Sequence, residues 1–193
     1  MLDPDRIQTE RLILRSWCDD DLPAFAGLNA DGRVMEHFPA TLTPTESDRL
    51  ASRIRKHFVD HGFGLWAVEV PGVAPFVGFV GLAVPGFDAH FTPCVEVGWR
   101  VAFSHWGQGY ATEAARATVS HGFSELDLME IVSFTVPGNL ASRRIMEKLG
   151  MSHRPDEDFD HPGLAAGHPL RRHVLYRLKK DDWAKSRGRG AKR

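Results

Sequence analysis

The segment from Thr92 to Val136 constrains the fold more than any other part of this sequence. It opens with the valine-rich TPCVEVGWRVA, passes through two glycines around Gln108 into a run with helical periodicity, and closes with EIVSFTV. Two neighbouring strands joined by a helix lie parallel, because the helix returns the chain to the end of the sheet from which it left. The segment therefore predicts a parallel β-α-β crossover.

The remaining elements indicate an α/β fold. ERLILRSW, GLWAVEV and PFVGFVGLAV are typical of strands, the last two joined by the turn PGVA, and RRHVLYRLKK is predicted as the final strand. Helices are predicted in CDDDLPAFAGLNA, in TPTESDRLASRIRKHFVDHG and in NLASRRIMEKLGM, the last two ending at Gly62 and Gly150. Residues 154–170 are predicted as a loop rich in Pro, Gly, His and Asp. We expect a central, mostly antiparallel sheet with one parallel crossover and helices on both faces.

Composition predicts a single domain over residues 1–193. The net charge of −1 gives no field that would gather nucleic acid or anionic lipid. Cys18 and Cys94 are the two cysteines, too few for a disulfide framework or a paired-cysteine metal site. MLDPDRIQTE shows no secretory-signal pattern, and FVGFVGLAVPGF is too short and too broken to span a bilayer. We expect a cytoplasmic protein without membrane or nucleic-acid partners.

The C-terminal segment KSRGRGAKR, residues 185–193, carries five basic residues and no acidic one. Such a segment contacts RNA or an acidic partner, or is a solvated end. We expect a disordered basic tail and assign it no function.

The corner Gly107-Gln108-Gly109 directly precedes a predicted helix. The first N–H groups of a helix are unpaired and carry partial positive charge, so an anion binds there if small residues let it approach. One interpretation is a dinucleotide-binding GxGxxG turn with Glu130 as the distant acid. It fits poorly, because Thr112 replaces the third glycine and Glu130 begins a strand instead of ending one.

The stretches VEVGWRVAFSHWGQGYATEAARATVSHGF and EIVSFTVPGNLASRRIMEKLGM together resemble the GCN5-related N-acetyltransferases, the GNAT family. Within it they are similar to the RimJ/RimL-like branch, which acetylates the N-termini of ribosomal proteins, and TERLILR resembles that branch's first strand. The resemblance covers nearly all of 8–152. It implies the GNAT fold and acetyl-CoA as cosubstrate, with its pyrophosphate held by the backbone of Gln108, Gly109, Tyr110, Ala111 and Thr112.

The resemblance also implies where the pantetheine arm of the cosubstrate binds. The arm would pair like an added strand with the chain before the corner, and Asn139 would bond it from the next helix. Many relatives begin the corner with Gln or Arg, where this chain has Trp106. The difference should affect cosubstrate binding little, because the pyrophosphate is bound through backbone N–H groups. The implied strand residues are Val97, Gly98, Trp99, Arg100 and Val101.

Two residues are predicted to act in the chemistry. Glu96 would take the proton from the acceptor amine, directly or through water; otherwise it is a charged residue on the solvent face of a strand. Ser142 would protonate or solvate the leaving thiolate; otherwise it is an ordinary first-turn residue, as Asn139 is otherwise a helix N-cap. Many relatives place a tyrosine acid where this chain has Met146, so tyrosine acid catalysis is in doubt.

No metal site is expected, because the spacing of His153, His161, His168 and His173 fits no zinc signature. We expect these histidines to lie on the surface. We expect an N-acetyltransferase that moves an acetyl group from acetyl-CoA to a peptide α-amine or a small-molecule amine by direct attack in a ternary complex. The alternative is a non-catalytic acyl-CoA binding module. Homodimers, frequent in the family, are a further expectation.

Overall fold

The computed structural model describes residues 6–190. The chain divides into two compact units, one comprising the residues up to Ala83 together with Gly98–Thr118 and the other comprising Val84–Val97 together with the residues from Val119 onwards. The single domain expected from the length stays a prediction, and each unit is described by itself.

The first unit contains an antiparallel meander. β1 (Ile7–Gln8) pairs with β2 (Ile13–Arg15), β2 with β3 (Leu65–Val70), and β3 with β4 (Ala74–Ala83). β5 (Glu96–Val101), whose residues from Gly98 belong to this unit, lies beside β4. The opening strand predicted in ERLILRSW is β2, which is shorter than that stretch because the chain before it turns, with the N–H of Thr9 donating to the carbonyl of Leu12 at 2.9 Å.

Two helices of the first unit follow their sequence signals. α1 (Leu22–Ala30) follows a 3-10 turn at Asp19–Asp21, and α2 (Pro44–His61) begins at a capping box. Thr43 accepts the N–H of Glu46 at 3.3 Å, and Glu46 accepts the N–H of Thr43 at 2.8 Å, which satisfies two donors at the helix start. Gly62 caps the other end in the left-handed conformation, as predicted.

An apolar cluster joins these elements within the first unit. Phe25, Ile54 and Phe79 are buried in it, and Trp17 packs on Phe25 with ring centroids 4.9 Å apart. β4 approaches β5 so closely that a Cβ at Gly78 would lie 2.1 Å from the carbonyl oxygen of Arg100. A side chain at this position would push the two strands apart.

The second unit contains the parallel pair that the sequence predicts. β6 (Glu130–Thr135) lies parallel to β5 at Glu96–Val132 and antiparallel to β9 (Arg172–Lys179). α4 (Leu140–Lys148) connects β6 to the remaining strands. α3 (Tyr110–Ser124) starts in the first unit and ends in the second. The mixed α/β fold is thereby confirmed.

The stretch 154–170, predicted as a loop, contains two short elements. β7 (Ser152–His153) and β8 (Phe159–Asp160) each pair with β9, and a 3-10 turn at Pro155–Glu157 lies between them. α5 (Lys180–Gly190) is a helix where a disordered tail was expected from 185 onwards, and residues 191–193 lie outside the described residues. No helix within 6–190 is long and apolar enough to cross a membrane.

Candidate active site

The glycine corner ends at the first residue of α3. Gly107 and Gly109 have φ of +75° and +82°, and the carbonyl of Gly109 accepts the N–H of Glu113 at 3.0 Å, so Gly109 caps the helix. The N–H groups of Tyr110, Ala111 and Thr112 form the first turn, whose donors an α-helix leaves without intrahelical acceptors. A left-handed residue without a side chain therefore stands where a pyrophosphate would approach, and the corner fits that group.

A polar network that sequence reasoning missed holds this corner. Arg11 donates from Nη1 to the carbonyl of Gln108 at 3.0 Å and forms an ion pair with Glu113 at 2.7 Å. Thr9 donates to Glu113 at 2.6 Å. Burial alone would raise the pKa of Glu113, but the hydrogen bonds from Thr9 and Arg11 lower it below its usual value. The only sequence signal was an acidic residue in the first helical turn.

The strand β5 carries the predicted contacts of the pantetheine arm. Its ladder with β6 has one register pair, Glu96 with Val132, beside the bond from the N–H of Val132 to the carbonyl of Val95 at 2.9 Å. The predicted arm-binding residues Val97, Gly98, Trp99, Arg100 and Val101 have no register partner in β6 among the described residues. The sequence predicted an added strand along this stretch, and that pairing stays a prediction.

Trp106 occupies one of the backbone acceptors of β5 that were predicted to bind the pantetheine arm. Its indole N–H donates to the carbonyl of Val101 at 2.7 Å, so one acceptor assigned to the arm is already in use. The same bond ties the corner to the strand that precedes it. The tryptophan that departs from the common family signature thus has a structural role of its own.

Glu96 lies at the start of β5 in the second unit. The residue as a whole is partly exposed, but its carboxyl group is surrounded by protein, and burial raises its pKa to about 8. No described residue gives it a hydrogen bond or an ion pair. Arg177 is already engaged by Glu130 at 2.6 Å and Glu157 at 2.9 Å. Glu96 is therefore a carboxylate with an unusually high proton affinity.

The face of β5 that bears Glu96 adjoins an aromatic cluster of the second unit. Val132, the register partner of Glu96, is buried there, and Cys94 packs against the same cluster. Burial and the nearby Glu96 raise the pKa of Cys94 to about 11, so its thiol is protonated near neutral pH and is no nucleophile. The rings of the cluster belong to Phe87, Phe91, Phe134 and Phe159.

Asn139 caps α4, which is the structural interpretation offered from the sequence. Its side-chain oxygen accepts the N–H of Ser142 at 3.1 Å, and its amide donates to Thr135 at 3.0 Å. Ser142 is partly buried in the first turn. Their predicted contacts with the arm and with the thiolate stay predictions.

The position where relatives have a tyrosine is filled by Met146, which is 1% exposed and belongs to the core. Tyr176 on β9 reaches the same helix instead. Its hydroxyl accepts from Arg143 at 3.3 Å and donates to Glu147 at 3.4 Å. This tyrosine comes to α4 by tertiary packing, which no spacing in the sequence reveals.

The C-terminal histidines are less exposed than predicted. His153 binds Asp158 at 2.7 Å, and the rings of His161 and His173 lie 5.2 Å apart within the aromatic cluster. Burial lowers the pKa of both His161 and His173, so they are neutral near pH 7. Within residues 6–190 no three metal-binding side chains come together as a site.

Comparison with known proteins identifies the family. Residues 11–152 match the model described as the acetyltransferase (GNAT) domain. The chain belongs to the GNAT family of acetyltransferases. It is 30% identical over 149 residues to the uncharacterized protein YkkB of Bacillus subtilis, covering 77% of this chain and 86% of that protein. This GNAT chain is therefore an acetyl-CoA-dependent acetyltransferase, as predicted.

Two further comparisons are informative about this GNAT chain. It is 36% identical over 130 residues to the FsC-acetyl coenzyme A-N(2)-transacetylase of Aspergillus fumigatus, covering 63% of this chain and 52% of that protein. Its fold matches Mycobacterium smegmatis RimJ in complex with CoA-disulfide with a TM-score of 0.74 at 20% identity, over 97% of this chain and 95% of that one. The fold predicted from the resemblance is confirmed.

Proposed function

We propose that this protein transfers the acetyl group of acetyl-CoA to a primary amine by direct attack, with Glu96 as the general base. The observation that carries the proposal is Glu96 itself, a carboxylate with a pKa raised to about 8 and no partner among the described residues, on the strand that leads to the corner. A base near that pKa is deprotonated in a useful fraction at neutral pH and binds a proton firmly.

In this mechanism the chain supplies three functions. The N–H groups of the corner hold the pyrophosphate, and a backbone N–H of β5 polarises the thioester carbonyl. Glu96 accepts one ammonium proton, so that the neutral nitrogen attacks the carbonyl carbon. The C–N bond forms, the C–S bond breaks, and the nitrogen releases its second proton to water. Ser142 or water donates a proton to the departing thiolate, although a thiol with a pKa near ~8.5 leaves acceptably without one.

The pKa of Glu96 favours an α-amine as acceptor. An α-amine has a pKa near ~7.7–8.0, so its proton moves to a base of pKa about 8 almost without cost. A lysine amine, near ~10.4, would hold its proton about 2.4 units more strongly, or roughly 3 kcal/mol. Support for amine chemistry comes from the N(2)-transacetylase similarity, and support for the RimJ/RimL-like branch from the RimJ fold match.

The test is release of free CoA thiol from acetyl-CoA against a panel of amines. The panel contains peptides with free N-termini, lysine side-chain amines in N-blocked peptides, polyamines and aminoglycosides. We expect release with α-amines and product masses that are larger by one acetyl group. Binding of acetyl-CoA by calorimetry without release on any acceptor would contradict the proposal and favour the binding module.

A further inference from the structure

Arg100 in the first unit is a largely buried cation without an acidic partner. Its Nη1 donates to the side-chain oxygen of Asn29 at 2.5 Å, and its guanidinium lies 4.1 Å from the ring centroid of Phe38. It forms no ion pair with a described residue. Arg15 in the same unit is different, since it binds Asp21 at 2.8 Å and Glu69 at 3.1 Å. Arg100 therefore has charge and hydrogen-bonding capacity that the fold does not use.

The amide that holds Arg100 is fixed from behind. Asn29 on α1 and Ser47 on α2 are both 0% exposed, and the Asn29 amide donates to the Ser47 hydroxyl at 2.9 Å. This bond orients the oxygen of Asn29 toward the guanidinium. A buried polar pair inside an apolar cluster is costly unless its groups are satisfied. Here its effect is to hold one end of an arginine in a fixed position.

The opposite edge of the guanidinium is left for a ligand. Nε is buried without a hydrogen-bond partner, and the one side-chain hydrogen bond of Arg100 to a described residue is the bond from Nη1 to Asn29. The adjacent Nε and Nη2 donors of arginine match the two oxygens of a carboxylate. Burial lowers the pKa of Arg100 to about 10, so it remains charged at neutral pH.

Phe38 determines the direction of approach. It is 38% exposed and lies in the irregular segment between α1 and α2, whereas the second ring near the guanidinium, Phe79 at 5.4 Å, is buried. Because Phe38 covers the face of the guanidinium, hydrogen bonding is restricted to its edge. A small anion would enter beside Phe38 and bind in the plane of the guanidinium.

We propose that Arg100 binds a carboxylate of the acceptor, which makes the substrate an amine that also carries a free carboxyl group, such as an amino acid or a short peptide. This inference rests on the proposed function, since it names the acceptor class of that reaction. Arg100 lies on β5, the strand whose backbone is predicted to pair with the pantetheine arm, which associates this cation with the acetyl-transfer site.

The kinetic test compares acceptors with and without a free carboxyl group: β-alanine with β-alaninamide, and a dipeptide with its C-terminal amide. Each rate is expressed per concentration of neutral amine, because amidation also lowers the pKa of the amine. For the wild type we expect kcat/KM to be roughly 10- to 100-fold higher with the free carboxylate, the range for a charge-assisted hydrogen-bonded pair. Arg100→Met should reduce this ratio to about one. Arg100→Lys should restore part of the ratio.

The matched control is Arg33→Met. Arg33 also lies beneath an aromatic ring, 3.9 Å from the centroid of Phe103, but it is paired with Asp31 at 2.6 Å. Its variant should keep the wild-type ratio. Equal wild-type rates with the two acceptors of each pair would overturn the inference while leaving the acetyltransferase function intact. A higher rate with 2-aminoethylphosphonate than with β-alanine would overturn the carboxylate assignment in favour of a phosphate-like group.

A binding measurement tests whether Arg100 binds a carboxylate, independently of turnover. The arginine Nε–H resonance that disappears in Arg100→Lys is followed by NMR while N-acetyl-β-alanine or its amide is added. A shift with the carboxylate alone supports the site, even if no amine is acetylated, and no shift with either overturns it. Melting curves show whether Arg100→Met is folded, and Arg100→Lys serves as the test variant if it is not.

Discussion

Glu96 is partly buried and has no hydrogen-bond or ion-pair partner in the part of the chain that the structure describes, so its protonation state should control the rate. In the wild type we expect kcat/KM to rise with pH through about 8, because only the deprotonated form accepts a proton. Glu96→Gln should lower kcat roughly 10²- to 10⁴-fold and remove that inflection. The measurement is a pH–rate profile with a hydrazide acceptor. Its nitrogen is already neutral at low pH, so the profile shows only the ability of Glu96 to accept the proton that this nitrogen loses on attack.

Glu130→Gln is the control for that experiment. Glu130 is also a carboxylate at the start of a strand in the second unit, but it is ion-paired with Arg177 at 2.6 Å. Its variant should keep the inflection. A wild-type rate in Glu96→Gln would remove Glu96 from the mechanism, and an unchanged inflection with a lower rate would assign the titration to another group.

Some residues of the site could be predicted from the sequence and others could not. Glu96 and Gly109 were predicted because the family motif fixes their positions along the chain. The network of Thr9, Arg11 and Glu113 was missed, because residues about a hundred positions apart meet only in the folded chain. That Arg100 has no acidic partner among the described residues was also missed, because the sequence does not show which side chains meet in the folded chain.

At the scale of elements, the start of α3 should depend on Gly109. Gly109→Ala puts a Cβ at φ +82° and 3.3 Å from Nη2 of Arg11, beside the N–H groups proposed to bind the pyrophosphate. We expect acetyl-CoA affinity to fall about 10-fold or more, measured by calorimetry, because the left-handed turn and the approach are both disturbed.

Gly72→Ala separates strain from binding. Gly72 has φ +76° and open space around its Cβ position, so the variant carries similar backbone strain, about 1–2 kcal/mol, in the turn between β3 and β4. It should lower the melting temperature as Gly109→Ala does and leave acetyl-CoA affinity unchanged. Equal affinities of the two variants would place the pyrophosphate away from the corner.

Elements were predictable where their ends carry local signals. The capping box at Thr43 and the glycine at 62 bound α2 in the sequence as they do in the structure. β7 and β8 have two residues each and exist only because β9 offers them an edge, so no periodicity marks them. The acidic first turn of α5 was overlooked in favour of its basic end.

For the whole molecule, the raised pKa of Glu96 predicts a cost in stability. A carboxyl group whose pKa is higher in the folded state than the ordinary value of 4.5 opposes folding once it ionises, so stability falls as the pH rises from about 4.5 to 8. Glu96→Gln should therefore be more stable than the wild type above pH 8, by on the order of 1–3 kcal/mol.

That gain should vanish below pH 4.5, where Glu96 is protonated in both states. Urea unfolding of both proteins at pH 4.5, 7 and 9 measures the difference, and Glu130→Gln serves as the ion-paired control. A difference that does not change with pH would mean that the ionised Glu96 has found compensation in the fold.

The close approach of β4 and β5 at Gly78 has a consequence for directed evolution of acceptor range. Position 78 tolerates no side chain, because a Cβ would meet the backbone of β5. A library that randomises β4 around it would consist largely of misfolded clones. Variation should be concentrated on residues 31–43, the irregular segment that holds Phe38, where sequence can diversify without dismantling the strands beneath.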